Sequence, residues 1–436
     1  MKLSKYNVVS RIKDANDYFV INALSGNADI LDESTYRDLM SGNSRDPRFA
    51  EKGYMVDQEE EKKRFHKEYL SFLDEREEDE LQIFFVTNYS CNFNCPYCYQ
   101  AGYQPEKGAL RKEITDAFFA HLEHNFSGRR KYITVFGGEP LLPGKNHKEN
   151  IQYLLEKATA ENLDVAIVTN GYHLSEYMDV LSHARIREVQ VTLDGTEELH
   201  NQRRPLKNGR GTFAQITEGI DYLVKAGIAV NLRMVVDRDN INNLPALAQF
   251  AIDKGWTQAP GFKTQLGRNY ELHECQDNGS KLYSRLELYN DLYALIQQHP
   301  HIVEFHKPAF SVARFLFENG ELPPPLFDAC TGTKTEWAYD YTGQIYACTA
   351  TVGKKGEELG TFYPEAKWHE ESVEEWTDRD ILSIPQCRDC AQSLICGGGC
   401  ASMARNYNGS LNSHDCRPVK DLLEMGIASY FKSEKV

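Results

Sequence analysis

The run Leu81-Gln-Ile-Phe-Phe-Val-Thr87-Asn-Tyr-Ser-Cys91-Asn-Phe-Asn-Cys95-Pro-Tyr-Cys98 decides how this chain is read. Leu81–Thr87 is short, apolar and bounded by polar residues, which marks a strand. The loop that follows places Cys91, Cys95 and Cys98 in a C-x3-C-x2-C spacing. Three thiolates that close can hold three irons of a [4Fe–4S] cube, because iron–sulfur clusters are held by cysteine thiolates. The fourth iron is left without a protein ligand, open to a substrate or cofactor. A zinc knuckle is the competing reading. Zinc sites usually take four ligands, often as paired C-x2-C units, and no histidine or fourth cysteine lies nearby in the sequence.

Downstream, the same strand-then-loop pattern repeats. Tyr132–Phe136 ends at Gly137-Gly138, Val165–Thr169 at Asn170-Gly171, and Val189–Leu193 at Asp194-Gly195. Ala229–Val236 follows a helix expected around 213–226, and Ile114, Phe118, Leu122 and Phe126 mark another helical face. Short apolar strands alternating with amphipathic helices predict βα units and a parallel sheet, hence an α/β fold. Polar and glycine residues gather at the C-terminal ends of these strands, where parallel α/β folds bind ligands.

Outside this region the pattern changes on both sides. Residues 1–80 contain no cysteine and begin with two alternating segments, Asn7–Ile12 and Asp17–Asn22, around the turn-like Lys13-Asp-Ala-Asn16. They predict a β-hairpin. Ser25-Gly-Asn27 reads as a turn, Asp32 as the cap of a helix through Met40, and Gln58–Asp74 as a helix with Phe65, Tyr69 and Phe72 on one face. The expectation is a small α+β module over 1–80, ended by the acidic run Glu75–Glu80. A core α/β unit follows over 81–274, then a helical connector over 275–324 that ends in the stiff Pro323-Pro-Pro325. Residues 325–436 are cysteine-rich and turn-rich, a segment to be organised by its metals.

Bulk composition narrows the classes. Eleven cysteines lie at 91–98, at 275 and between 330 and 416. No signal-peptide core or membrane span is present, so the expected location is cytoplasmic. Clustered cysteines in a reducing compartment read as metal sites rather than disulfides. The net charge of 49 − 64 = −15 argues against a nucleic-acid partner.

Two sets of motifs carry a family resemblance. The cysteine loop, with aromatic Tyr97 before its third cysteine, and Gly137-Gly-Glu-Pro140 together resemble radical S-adenosylmethionine (SAM) enzymes. The resemblance implies a partial (β/α)6 barrel of TIM type. It also implies that the open iron takes the amino and carboxylate groups of SAM, whose reductive cleavage gives a 5′-deoxyadenosyl radical. By the same resemblance Tyr97 packs beside the adenine, and Gly137, Gly138 and Glu139 meet the methionine amino group. Thr169, Asn170 and Thr192 reach the ribose or carboxylate, with ordinary turn chemistry as the plain alternative. Arg204, in His200-Asn-Gln-Arg-Arg204-Pro, is read as holding a SAM or substrate carboxylate, against a solvated surface arginine.

The C-terminal spacing resembles the seven-cysteine SPASM domain. Cys330 is followed after twelve residues by Gly343 and after four more by Cys348; then come Cys387-x2-Cys390-x5-Cys396-x3-Cys400 and, fifteen residues later, Cys416. The resemblance implies one auxiliary [4Fe–4S] cluster on Cys330, Cys348 and Cys400 and another on Cys387, Cys390, Cys396 and Cys416, three clusters in all. In some relatives a fourth cysteine follows the first by six residues; here that position is Glu336, and Cys275 is left over.

SPASM-bearing radical SAM enzymes mostly modify peptides. The N-terminal module resembles the winged-helix-like leader-recognition (RRE) domains of enzymes that mature ribosomally made peptides. The expected function is therefore hydrogen abstraction from a leader-bearing precursor peptide and formation of an intramolecular thioether or carbon–carbon crosslink. An external donor such as flavodoxin or ferredoxin supplies electrons. One alternative is sulfatase-maturase-type oxidation to formylglycine. In that group an Asp follows the second auxiliary cysteine, whereas Thr349 follows Cys348 here. A non-catalytic iron–sulfur or zinc scaffold that binds a peptide is the alternative of another class, and Gly137–Pro140 argues against it.

Overall fold

Five apolar runs, each stopped by a polar or glycine residue, and a sixth, more polar segment become the parallel strands of the central sheet. In the computed structural model, which describes residues 1–102, 108–268 and 281–431, three strands of one sheet precede them in the N-terminal module. These are β1 (Asn7–Arg11), β2 (Tyr18–Asn22) and β3 (Asn27–Leu31). The six are β4 (Leu81–Val86), β5 (Lys131–Phe136), β6 (Val165–Thr169), β7 (Ile186–Thr192), β8 (Val230–Val236) and β9 (Lys263–Arg268). Each pairs in parallel with the next in chain order. Helices such as Lys112–Phe126, Lys145–Ala160 and Phe213–Lys225 join them. Their buried faces meet the strands in one large core that includes Phe85, Phe118, Leu154, Val189 and Ile220.

The sheet does not stop at β4. A further strand, β10 (Glu336–Asp340), adds in parallel to β4, with Trp337 opposite Ile83 and Tyr339 opposite Phe85. Antiparallel β11 (Gln344–Tyr346), β12 (Gly360–Thr361) and β13 (Lys367–Trp368) then complete a ten-stranded sheet. The cysteine-rich segment, expected to show little regular structure, thus extends the same ladder. Trp337 and Tyr339 supply its apolar face in the large core.

The main sheet of the N-terminal module has three strands where the sequence predicts a hairpin of two, and the short segments Lys2–Leu3 and Met55–Val56 pair separately. β1, β2 and β3 form one antiparallel sheet. Asp32 caps the helix Glu33–Met40 by accepting from the Thr35 N–H. One face of this sheet packs on Leu39, Phe49 and Tyr54. The other face carries Val8, Phe19 and Ile21 into a core shared with Phe327, Ile384, Leu394 and Leu423 of the C-terminal segment. The helix Gln58–Glu78 lays Phe65, Tyr69 and Phe72 around the buried Phe327 ring, at centroid distances of 5.2, 5.2 and 5.5 Å. The helical face read from sequence is therefore a docking face for the cysteine-rich segment.

Among the described residues no helix is long and apolar enough to cross a membrane. Cys275 lies outside the described residues.

Candidate functional site

The cysteine loop leaves the C-terminal end of β4 and is held by backbone pairing on two sides. Asn94 N–H donates to Pro205 O (2.9 Å), Lys207 N–H donates to Asn92 O (2.9 Å), and Phe93 bridges Leu206. On the other side, Gly138 N–H donates to Asn88 O (3.0 Å) and Glu139 N–H to Ser90 O (2.8 Å). A Cβ built on Gly137 or Gly138 would stand 2.3 Å from Asn88 O or Ser90 O, and Gly137 has φ 149°. The two glycines let the cysteine loop approach their own backbone. Only residues without Cβ permit that approach.

Glu139 is 1% exposed. Its carboxylate accepts from Thr169 Oγ1 (2.6 Å), Asn170 N–H (2.6 Å) and Leu141 N–H (2.7 Å). Burial pushes its carboxyl up, and those three donors pull the other way. Glu139 therefore joins the ends of β5 and β6. Asn170 continues the link, donating from Nδ2 to Asn92 Oδ1 at 2.7 Å, beside Cys91.

A second network lies across the loop. Tyr97 donates to Asp194, and Arg204 Nη1 donates to the Tyr97 oxygen at 2.7 Å. Arg203 holds Asp237 through two 2.9 Å bonds, reaches Asp194 at 3.3 Å, and lies over the Tyr97 ring at 4.9 Å. His200 sits beneath, fully buried and kept neutral by burial and by both arginines. Arg204 is itself buried, which removes the reading of a solvated surface arginine. The sequence did not mark Arg203, Asp194 and Asp237 as a unit, because Asp194-Gly195 reads locally as a turn and Asp237 as a strand end.

Arg203→Met is expected to strand two buried carboxylates. Breaking a buried pair costs about 3–5 kcal/mol. A thermal melt followed by circular dichroism should show a lowered midpoint, and an unchanged midpoint would refute this.

The ten cysteines predicted as ligands fall into three neighbourhoods. Cys91, Cys95 and Cys98 share the loop; burial, with Glu139 next, pushes the Cys91 thiol up to about 12. Burial also raises Cys95, with the Arg204 charge opposing. Cys348 lies within electrostatic reach of Cys330 and Cys400. Cys387 lies within reach of Cys396, Cys390 and Cys416. Among the described residues no three Cys, His, Asp or Glu side chains are gathered tightly enough for a single metal ion.

Buried Arg379 braces the loop of the C-terminal cysteines. It donates to Leu411 O, Gly398 O, Gly399 O and Ser413 O. Lys334 and Asp328, a buried pair, lie beside it. Sequence reasoning missed this brace, since the acceptors are main-chain carbonyls that no side-chain pattern reveals.

Residues 85–251 match the family described as the Radical SAM superfamily. This segment is a radical SAM domain. Such domains bind SAM and a [4Fe–4S] cluster. A GTP 3′,8-cyclase of Rhizobium leguminosarum is 34% identical over 176 residues, 38% of this chain and 46% of the cyclase, so the chain spans about half of that relative's length. A cysteine-type anaerobic sulfatase-maturating enzyme of Clostridium perfringens is 22% identical over 77% of this chain and 92% of its own. Among solved structures, anSMEcpe with bound AdoMet and Cp18Cys peptide aligns with a TM-score of 0.61 over 81% of this chain and 99% of its own, at 18% identity. Streptococcus suis SuiB bound to precursor peptide SuiA aligns with a TM-score of 0.55 over 96% of this chain and 99% of its own, at 14% identity. At these identities the two structures share the radical SAM fold with this chain.

The residues present fit a bound group at the cysteine loop. Three buried polar atoms there have no partner among the described residues: Asn88 Oδ1, Asn92 Nδ2 and Arg204 Nε. Buried polar groups are almost always satisfied, so these atoms are unmet hydrogen-bonding groups that a polar ligand beside Cys91 and Cys95 would satisfy.

Proposed function

We propose that the protein matures a ribosomally made precursor peptide, abstracting hydrogen with a SAM-derived radical and closing a thioether or carbon–carbon crosslink. The observation that carries this reading is the N-terminal sheet. Its outer strand β3 pairs only with β2, so among the described residues its far edge bonds to no strand. Ile30 on β3 is 53% exposed. An open edge beside an exposed apolar residue suits an extended peptide, with main-chain bonds giving affinity and side-chain pockets giving specificity. Two comparisons support the reading. The SuiB likeness takes in nearly the whole chain, whereas the anSMEcpe likeness leaves about a fifth of it unmatched.

In this reading Cys91, Cys95 and Cys98 hold the cluster that SAM binds. Asn92, Arg204 and the Gly137–Glu139 turn face SAM. Thr169, Asn170 and Thr192 stand at neighbouring strand ends, and Tyr97 lies at the adenine side. Cys330, Cys348 and Cys400 hold one auxiliary cluster, and Cys387, Cys390, Cys396 and Cys416 the other. When bound, the clusters supply the electron that cleaves SAM and take up the electron released on crosslinking. Overall the peptide loses two hydrogens. One passes as an atom to the 5′-deoxyadenosyl radical, giving 5′-deoxyadenosine, and the other leaves as a proton with an electron. A flavodoxin- or ferredoxin-type donor provides the first electron.

Ile30→Lys tests the reading. It adds charge at an exposed position without touching the core, and burying an isoleucine is worth about 1.5–3 kcal/mol. Precursor affinity should fall roughly tenfold or more, since about 1.4 kcal/mol is a factor of ten, while SAM cleavage without peptide is unchanged. Equal affinity measured by fluorescence anisotropy would remove β3 as the recognition edge.

Oxidation of a Cys or Ser side chain to formylglycine is the second reading. It is favoured by the match over 92% of the sulfatase-maturating enzyme. Mass spectrometry of a co-expressed precursor separates the two. A crosslink resists fragmentation between the joined residues, whereas an aldehyde is captured by a hydrazide.

A further inference from the structure

We propose that the Glu336 carboxylate is the fourth protein ligand at the Cys330, Cys348 and Cys400 site. The proposal rests on the auxiliary-cluster reading above. It starts from the register of β10 and β11. Ala338 pairs with Tyr346 and Tyr339 with Ile345 in an antiparallel ladder. Glu336 opens β10 and Cys348 lies two residues past the end of β11, so the hairpin brings both to the same end.

The approach from Cys330 is equally constrained. Thr335 and Glu336 N–H groups both donate to Thr331 O, at 3.0 and 2.9 Å, folding residues 331–336 into a closed turn. Gly332 within it touches the Trp376 ring, which a Cβ would meet at 3.1 Å. The carboxylate is then held by the residues immediately after two of the cysteines. Thr331 Oγ1 donates to Oε2 at 2.7 Å and the Thr349 N–H donates to Oε1 at 3.2 Å. Each oxygen keeps a free lone pair, since an ionised carboxylate has about four acceptor sites.

No ion pair to Glu336 is present among the described residues, and the nearby cation Lys334 is committed to Asp328. A carboxylate bonded by the residues that directly follow Cys330 and Cys348, and with no cation of its own, is placed to meet a metal. Buried charges are paired or coordinate metals. Three thiolates leave one iron of a cubane unsupplied, and Glu336 stands where it can supply it with a hard oxygen donor.

The test uses full-length, anaerobically reconstituted enzyme carrying Cys91→Ala, Cys95→Ala and Cys98→Ala, so that only auxiliary iron remains. Iron is counted, and the EPR spectrum of the reduced protein is recorded with and without cyanide. With Glu336 intact, the spectrum should not respond to cyanide. Glu336→Ala, and the near-isosteric Glu336→Gln as a folding control, should keep auxiliary iron but gain a cyanide-sensitive signal. Glu336→Cys should restore insensitivity with a shifted midpoint potential, and Cys275→Ala should change nothing. Identical cyanide responses with and without Glu336, or a cyanide-sensitive signal in Cys275→Ala, would overturn the assignment. Failure of the underlying cluster reading looks different. In that case Cys330→Ala, Cys348→Ala and Cys400→Ala together would remove no iron.

Discussion

Replacing Cys91, Cys95 and Cys98 together by alanine should abolish release of 5′-deoxyadenosine from SAM in the presence of dithionite. It should also remove about a third of the iron, if three cubane clusters are held by cysteine thiolates. The loss should be specific, because the loop does not depend on its metal for position. Backbone pairing to Pro205, Lys207, Gly138 and Glu139 holds it. The variant should therefore remain folded and keep its C-terminal iron. Wild-type rates of 5′-deoxyadenosine formation, or stoichiometric zinc with negligible sulfide in the unmodified protein, would remove the radical SAM chemistry from this loop.

Deleting residues 1–80 should have the other large effect, on folding. Read from sequence, residues 1–80 form a small α+β module ahead of the α/β unit. In the structure that module shares a core with the C-terminal segment. Phe327, Ile384, Leu394 and Leu423 share a core with Val8, Phe19 and Ile21, and Phe327 is wrapped by three aromatic rings of the helix Gln58–Glu78. Tyr69 also donates to Asp380 at 2.7 Å. Each large side chain uncovered forfeits about 1.5–3 kcal/mol, and several together exceed the roughly 5–15 kcal/mol by which a protein is stable. The truncated chain should aggregate or lose its C-terminal iron. Recovery of a soluble truncation with full auxiliary iron would show that the shared core is dispensable.

The local signals are legible where chemistry and periodicity coincide. β4 to β8 follow from apolar runs, each ended by a polar or glycine residue. β9, with the sequence Lys-Thr-Gln-Leu-Gly-Arg, does not, because an edge strand is only half buried and lacks that run. β3, with Asn27, Asp29 and Asp32 in or beside it, reads as turn and cap. In the sequence the glycines after β5 suggest room for a ligand, yet their tightest neighbour is the cysteine loop itself. Glu139 reads as a ligand-facing acid, and its carboxylate is engaged by three protein donors. Both sets of added contacts have one cause. Contacts between strand ends depend on which strands become neighbours, and a linear pattern does not contain that information. The joining of β10 to β4 is unreadable for the same reason.

That joining also fixes the order in which the chain can finish. β4 emerges early in synthesis, but its second neighbour, β10, is encoded after the entire six-strand segment. Until then the Leu81–Val86 edge carries unpaired main-chain groups, a template for pairing with other chains. Tyr89, just before Cys91, likewise waits for Asp340, to which it donates at 2.7 Å. Pairing of such remote segments is slow, because loop-closure entropy must be met before the contact forms. Assembly of the first cysteine loop is thus tied to arrival of the C-terminal strands, and a stalled or shortened chain exposes a sticky edge beside three reactive thiols.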